Sequence, residues 1–288
     1  MRLLNYLQRT TGFPMDKLIM PRRIIFAVAI AALGIENIIC AHVSQIAFAK
    51  NPPVVPVLPF VPAIPVLVYV VGIALLAGGL SLAANIRARS AAILLGLFFL
   101  FCGVVLFVPK VIASPLDLNV RTCFFEELAL GASALTLAGC LQRNRSASEG
   151  RLLLNNHATD LLIASGRYFF AASAVVFGVT HFLVLRFLAS LVPAWLPGGM
   201  FWAYLTGAGF IAAGVSMATG VMARWGAFWL GTMFLLWFVL LHSPRVVMHP
   251  HLPAEWSSAF IALGLGGGSW IVAGGLNLPR VDRTTASR

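Results

Sequence analysis

The sequence predicts an all-α integral membrane protein of eight transmembrane helices, arranged as two parallel four-helix bundles. Three observations carry that expectation. Of the 288 residues, 60% are hydrophobic and only 10% charged, against about 25% charged in an ordinary soluble domain. Eight apolar stretches approach the roughly 20 residues that a spanning helix needs. The two halves of the chain also align with each other over most of their length.

The eight stretches run over residues 24–43, 64–84, 91–108, 123–141, 168–192, 201–222, 227–242 and 257–276. Each is expected to be helical, because in lipid every backbone polar group must bond within its own segment. Ahead of them, residues 1–15 form a candidate amphipathic segment on the membrane surface. Leu3, Leu4 and Leu7 share one helical face beside Arg2 and Arg9. With no uninterrupted apolar core, this stretch does not resemble a cleaved signal peptide. The expected organisation is a first unit over 16–141, a cytoplasmic linker over 142–159, a second unit over 160–276 and a cytoplasmic tail over 277–288.

The net charge is +11, from 20 Lys and Arg against 9 Asp and Glu. The distribution of the cations points to membrane topology. Lys50, Lys110, Arg121, Arg186 and Arg245 lie in or beside the loops of one side, and the other 15 lie on the opposite side. The positive-inside rule then puts both termini in the cytoplasm of a multi-pass cell-membrane protein. The expected partner is the lipid bilayer, and not nucleic acid. Trp195, Trp202 and Trp256 fall where an outer aromatic belt would sit.

At a spacing of 144 residues, Asp16, Arg23, Phe26 and Gly34 match Asp160, Arg167, Phe170 and Gly178. After the first outer loop the spacing becomes 135, and Gly72, Gly79, Gly96, Pro109 and Gly131 match Gly207, Gly214, Gly231, Pro244 and Gly266. Four spans per unit is an even number, so both units point the same way, as in carriers with parallel repeats. Small residues at matched positions allow close helix approach. The glycines from Gly264 to Gly268 therefore point to packing. They follow no strand, and Ser269 stands where a dinucleotide fingerprint needs its last glycine.

The second unit carries Phe177-Gly178-Val179-Thr180-His181-Phe182, then Val192-Pro193-Ala194-Trp195-Leu196-Pro197, Tyr204-Leu205-Thr206-Gly207 and Ala212-Ala213-Gly214. In these motifs it resembles the DoxX-like family of small four-helix membrane proteins. The first unit keeps the frame, with Asn37 in place of His181. The resemblance implies a redox setting, since such families include a membrane subunit of a thiosulfate:quinone oxidoreductase. It also implies possible redox-complex subunits as partners. Many members carry an acid beside the second-span glycine. Here Ile73 and Ala74, and Ala208 and Gly209, stand there instead.

Ionisable side chains inside spans ask for a reason, at roughly 2.5–3.5 kcal/mol each on insertion scales. Glu36 lies about 20 Å along its helix from Arg23, at 1.5 Å per residue. His181 falls at nearly the same height in the fifth span. Glu36, His181, His242 and Arg245 are thus the candidate ligand or quinone residues of an outer-face pocket formed by the first spans of the two units and their outer loops. Glu36 is expected either to be neutralised by a neighbour such as Lys110 or Arg121 or to be protonated. Glu126 and Glu127 are expected at the solvated interface. His249 and His251 are the candidate metal ligands, on the weak ground that imidazole is the commonest such ligand. A haem between His181 and His242 is the other cofactor weighed against a quinone, which needs only a hydrogen-bonding group beside an apolar slot. The four cysteines form no C-x-x-C pair, so they suit small apolar membrane positions. A Cys40–Cys123 bridge is the sharper alternative.

Hydrolase, zinc-protease, P-loop and kinase motifs are absent. Three functions stay open. The first is a non-catalytic or quinone-interacting subunit of a membrane redox complex. The others are a small-solute carrier and an oxidoreductase with an outer-face cofactor. Spans 6 to 8, as bounded above, hold no proline or charge, which counts against the broken helix of a carrier.

Overall fold

The computed structural model describes residues 19–47, 65–148 and 156–276, and their regular secondary structure is entirely helical. The elements are α1 (Ile19–Ala47), α2 (Pro65–Ala84), α3 (Ala88–Ala113), α4 (Leu118–Ser148), α5 (Asn156–Leu183), α6 (Leu185–Leu191), α7 (Gly199–Thr219), α8 (Ala223–Met248) and α9 (Pro253–Gly275). All but α6 contain a segment long and apolar enough to cross a membrane. Such a set fits a multi-pass protein in a lipid bilayer.

Helices α4 and α9 run side by side in the same direction at the centre, with Gly264 against Leu130 and Gly268 against Ser133. In these two, 72% and 78% of the spanning window is buried, against 22–56% in the others. Helix α1 lies between α2 and α9, and α5 between α4 and α7. The first helix of each half therefore packs on the last helix of the other. The ring α1–α2–α3–α4 closes through α9, and the ring α5–α7–α8–α9 closes through α4.

Lipid tails are as apolar as leucine, so burial alone does not hold such helices together; close packing does. A Cβ on Gly34 would strike the backbone of Gly72 and Leu76, and one on Gly178 that of Gly207 and Ile211. Gly79 meets Ala27 and Ala31, and Gly214 meets Ala171 and Val175. Between α1 and α9, Gly267 meets the backbone of Phe26. The glycines from Gly264 to Gly268 are buried packing positions. Large side chains such as Phe26, Ile30, Phe99, Leu130 and Phe170 are buried between them.

Further features recur at the same spacings. The α2–α3 turn has positive φ at Asn85 and Arg87, and the α7–α8 turn has it at Gly220 and Met222. Ser81 donates to Ile86 O, and Ser216 donates to Val221 O. Both α3 and α8 contain a π-helical turn, at Gly103–Phe107 and Phe238–His242. Each precedes a proline, Pro109 or Pro244. A proline removes one N–H and crowds the carbonyl four residues back, and the wider turn accommodates both.

Several expected boundaries change. The span expected over 168–192 starts earlier and ends at Leu183, where Val184 (φ −116°, ψ 31°) separates it from α6. The span expected over 227–242 continues to Met248, which brings Pro244 and Arg245 into it. The expected linker keeps helix at both ends, up to Ser148 and from Asn156. Cys40 and Cys123 are not bridged. The expected amphipathic segment 1–15, the tail 277–288, Lys50 and the loop around Pro59 lie outside the described residues.

Candidate functional site

A cavity of about 440 Å³ lies within the second ring, towards the end of the bundle away from Arg22 and Gly274. Helical periodicity explains how each element reaches it. On α4, Asn119, Cys123 and Glu126 follow at intervals of four and three and share a face. On α7, Trp202, Thr206 and Phe210 follow at intervals of four, as do Ala254 and Ser258 on α9. Leu241 and His242, in the π-turn of α8, line the same cavity. Leu188 and Leu191 of α6 cover one side.

His181 of α5 is held on two sides. Its Nδ1 lies 2.8 Å from Phe177 O, and its ring sits 4.9 Å from that of Phe210, centroid to centroid. Phe210 in turn meets Phe234 edge-on at 5.2 Å, and Trp202 meets Trp237 at 6.3 Å. Offset and edge-on pairs of this kind stiffen an aromatic wall. In the first ring Asn37, the residue matched to His181, makes the matching bond, Nδ2 to Leu33 O at 2.8 Å.

Just beyond His242, Arg245 of α8 grips Glu255 of α9 with Nε at 2.8 Å and Nη2 at 2.5 Å. This two-pronged pair links the helices that flank the cavity. Arg245 itself does not line the cavity. His242 does, and its Nδ1 is buried with no hydrogen-bond partner among the described residues.

Glu36 and His181 do not meet. Glu36 accepts a hydrogen bond from Ser257 of α9 in the first ring, and its Oε2 is buried without a hydrogen-bond partner among the described residues. This hydroxyl is the hydrogen-bond partner found for Glu36 among the described residues. The cavity is therefore not formed between the first spans of the two halves; only α5 of that pair contributes. His249 and His251 are exposed in the α8–α9 connection. Among the described residues no three His, Cys, Asp or Glu side chains gather as a metal site would require.

Glu126 and Thr206 belong to the cavity, and sequence reasoning missed both. Glu126 was expected at the interface beside Glu127. The two turn apart: Glu126 lines the cavity, while Glu127 is buried against Gly103 of α3. The spacing of Asn119, Cys123 and Glu126 on one helical face was the available signal.

The arrangement is an apolar, aromatic-walled slot with a few polar groups at fixed places, the usual make-up of a small-molecule site. No family model, curated protein or solved structure matches the chain.

Proposed function

We propose that this chain is a quinone-interacting subunit of a membrane redox complex, resembling DoxX-like proteins and built as a tandem repeat of one four-helix unit. The observation that carries the ligand reading is the cavity itself. His181, Glu126 and Thr206 supply hydrogen-bonding groups among Trp202, Phe210, Phe234 and Trp237. A quinone ring has the same make-up, a flat apolar body with polar atoms at its two ends. The recurrence of glycine contacts, turns and π-helical segments at spacings of 144 and 135 supports the repeat and the parallel placing of the halves. The 15-to-5 division of cations supports cytoplasmic termini, with the cavity then towards the outer face.

Calorimetric titration of the purified protein with tetramethyl-1,4-benzoquinone, and separately with its hydroquinone under anaerobic conditions, tests the ligand reading. At least one form should bind with a stoichiometry near one. Ala203→Phe, which fills the cavity wall beside Thr206, should abolish that binding. Failure of both forms to bind would refute the reading.

A second reading, a small-solute carrier, draws on the π-turns and prolines that interrupt α3 and α8. Solute flux in proteoliposomes, abolished by the same Ala203→Phe change, would favour it. An absorption spectrum of the purified protein tests the third reading, an oxidoreductase with its own coloured cofactor.

A further inference from the structure

The polar groups of the cavity include donors as well as acceptors, with N–H or O–H groups on Asn119, Trp237 and Ser258. Trp202 lines the wall, but its Nε1 donates to Pro197 O at 3.1 Å. Thr122 likewise donates its hydroxyl to Leu118 O at 2.8 Å. Neither has a proton left for a ligand.

His181 is the informative member. Its Nδ1 lies 2.8 Å from Phe177 O. A carbonyl oxygen can only accept, so the proton of that bond is on Nδ1. A singly protonated imidazole then carries a lone pair on Nε2. Nε2 makes no hydrogen bond among the described residues, in a ring that lines the cavity. The backbone of α5 thereby sets the ring's tautomer, as a partner of one ring nitrogen sets the other. Glu126 adds carboxyl oxygens to the same cavity and makes no hydrogen bond among the described residues.

We infer that the cavity selects a ligand whose polar end donates: an aromatic hydroxyl, such as that of a hydroquinone, directed at Nε2 of His181. This inference rests on the quinone reading above and specifies which form is held. The quinone itself offers only carbonyl oxygens, which would face the lone pair of Nε2. Sites built to pair with a hydroxyl reject the analogue that lacks it, because the buried group is left unpaired.

The test compares three probes of one shape by anaerobic calorimetry: tetramethylhydroquinone, its quinone, and the dimethyl ether of the hydroquinone. The hydroquinone should bind about tenfold more tightly than either of the others, the difference expected of one hydrogen bond to a buried group. His181→Phe keeps an aromatic ring but removes Nε2, and should bring the three affinities within about twofold of one another. His181→Asn places at 181 the side chain that Asn37 carries in the first ring. It provides a folded control whose amide can keep the bond to Phe177 O. Equal or tighter binding of the quinone by the unaltered protein would overturn the inference and leave the quinone reading intact. Preference for the hydroquinone that survives His181→Phe would overturn the role of His181. Binding of none of the three would remove the quinone reading itself.

Discussion

Gly79→Ala should loosen the contact between α1 and α2. The new Cβ would lie 2.6 Å from Ala31 N and 2.7 Å from Ala27 O. Ordinary van der Waals contact begins near 3.4 Å, so a gap of about 0.8 Å has to open. The neighbours are backbone atoms of a helix, which cannot swing aside as a side-chain end can. A separation of that size forfeits a quarter to a half of the dispersion well for atoms across the contact. Overpacking of this kind costs about 1–3 kcal/mol. At about 2–4 °C per kcal/mol, a central value of about 2 kcal/mol lowers the midpoint by roughly 4–8 °C. Gly209→Ala is the matched control, because its Cβ would meet only the Met233 sulfur at 3.4 Å. That change should leave stability level or raise it by up to about 1 kcal/mol through helix propensity. A thiol-reactive dye can follow unfolding in detergent, since Cys40, Cys102 and Cys140 are buried. A Gly79→Ala midpoint at or above that of the parent, with a loss at Gly209→Ala, would refute the reasoning.

Other outcomes follow from the polar contacts. Glu255→Ala strands the guanidinium of Arg245, whose side chain is 29% exposed, and should cost about 1–3 kcal/mol; adding Arg245→Leu should recover part of it, as a double-mutant cycle of thermal midpoints would show. Ser257→Ala removes the hydroxyl bonded to the buried Glu36 and should cost about 1–3 kcal/mol. Pairing it with Glu36→Leu should be milder than Ser257→Ala alone. Cys123 lines the cavity and is only half-buried, so mass spectrometry after brief maleimide treatment should find it modified before the other three. Reporter fusions after Gln142 and after Arg288 should both give a cytoplasmic signal, and an external signal from either would reject the proposed orientation.

The eight spans are legible in hydropathy because each requires only length and apolar character. Their interruptions are less so. Residues 184–191 are as apolar as the helix before them, so the break at Val184 leaves no trace in a hydropathy profile. The π-turns are equally hidden in the apolar runs Gly103–Phe107 and Phe238–His242, although Pro109 and Pro244 announce a disturbed ladder nearby. The candidate site was misjudged through helical phase. Glu36 and His181 share a height, but at a spacing of 144 the residue matched to His181 is Asn37. One residue of displacement turns a side chain by about 100° around a helix, and Glu36 therefore turns to α9 and Ser257. The same rotation separates Glu126 from Glu127. Height along a helix was recoverable from counting. Which neighbour a side chain faces depended on the exchange of partners between halves, by which α1 meets α9 and α5 meets α4.

That exchange imposes an order of events during synthesis. The bond between Glu36 and Ser257 joins residues 221 positions apart. At about 5–20 residues per second, Glu36 enters the membrane roughly 10–45 s before the helix that carries its partner exists. The first half is thus made with its opening helix still lacking one flank. Its ring closes only when α9 slides in between α1 and α4, so a helix made later completes a ring whose other members were made earlier.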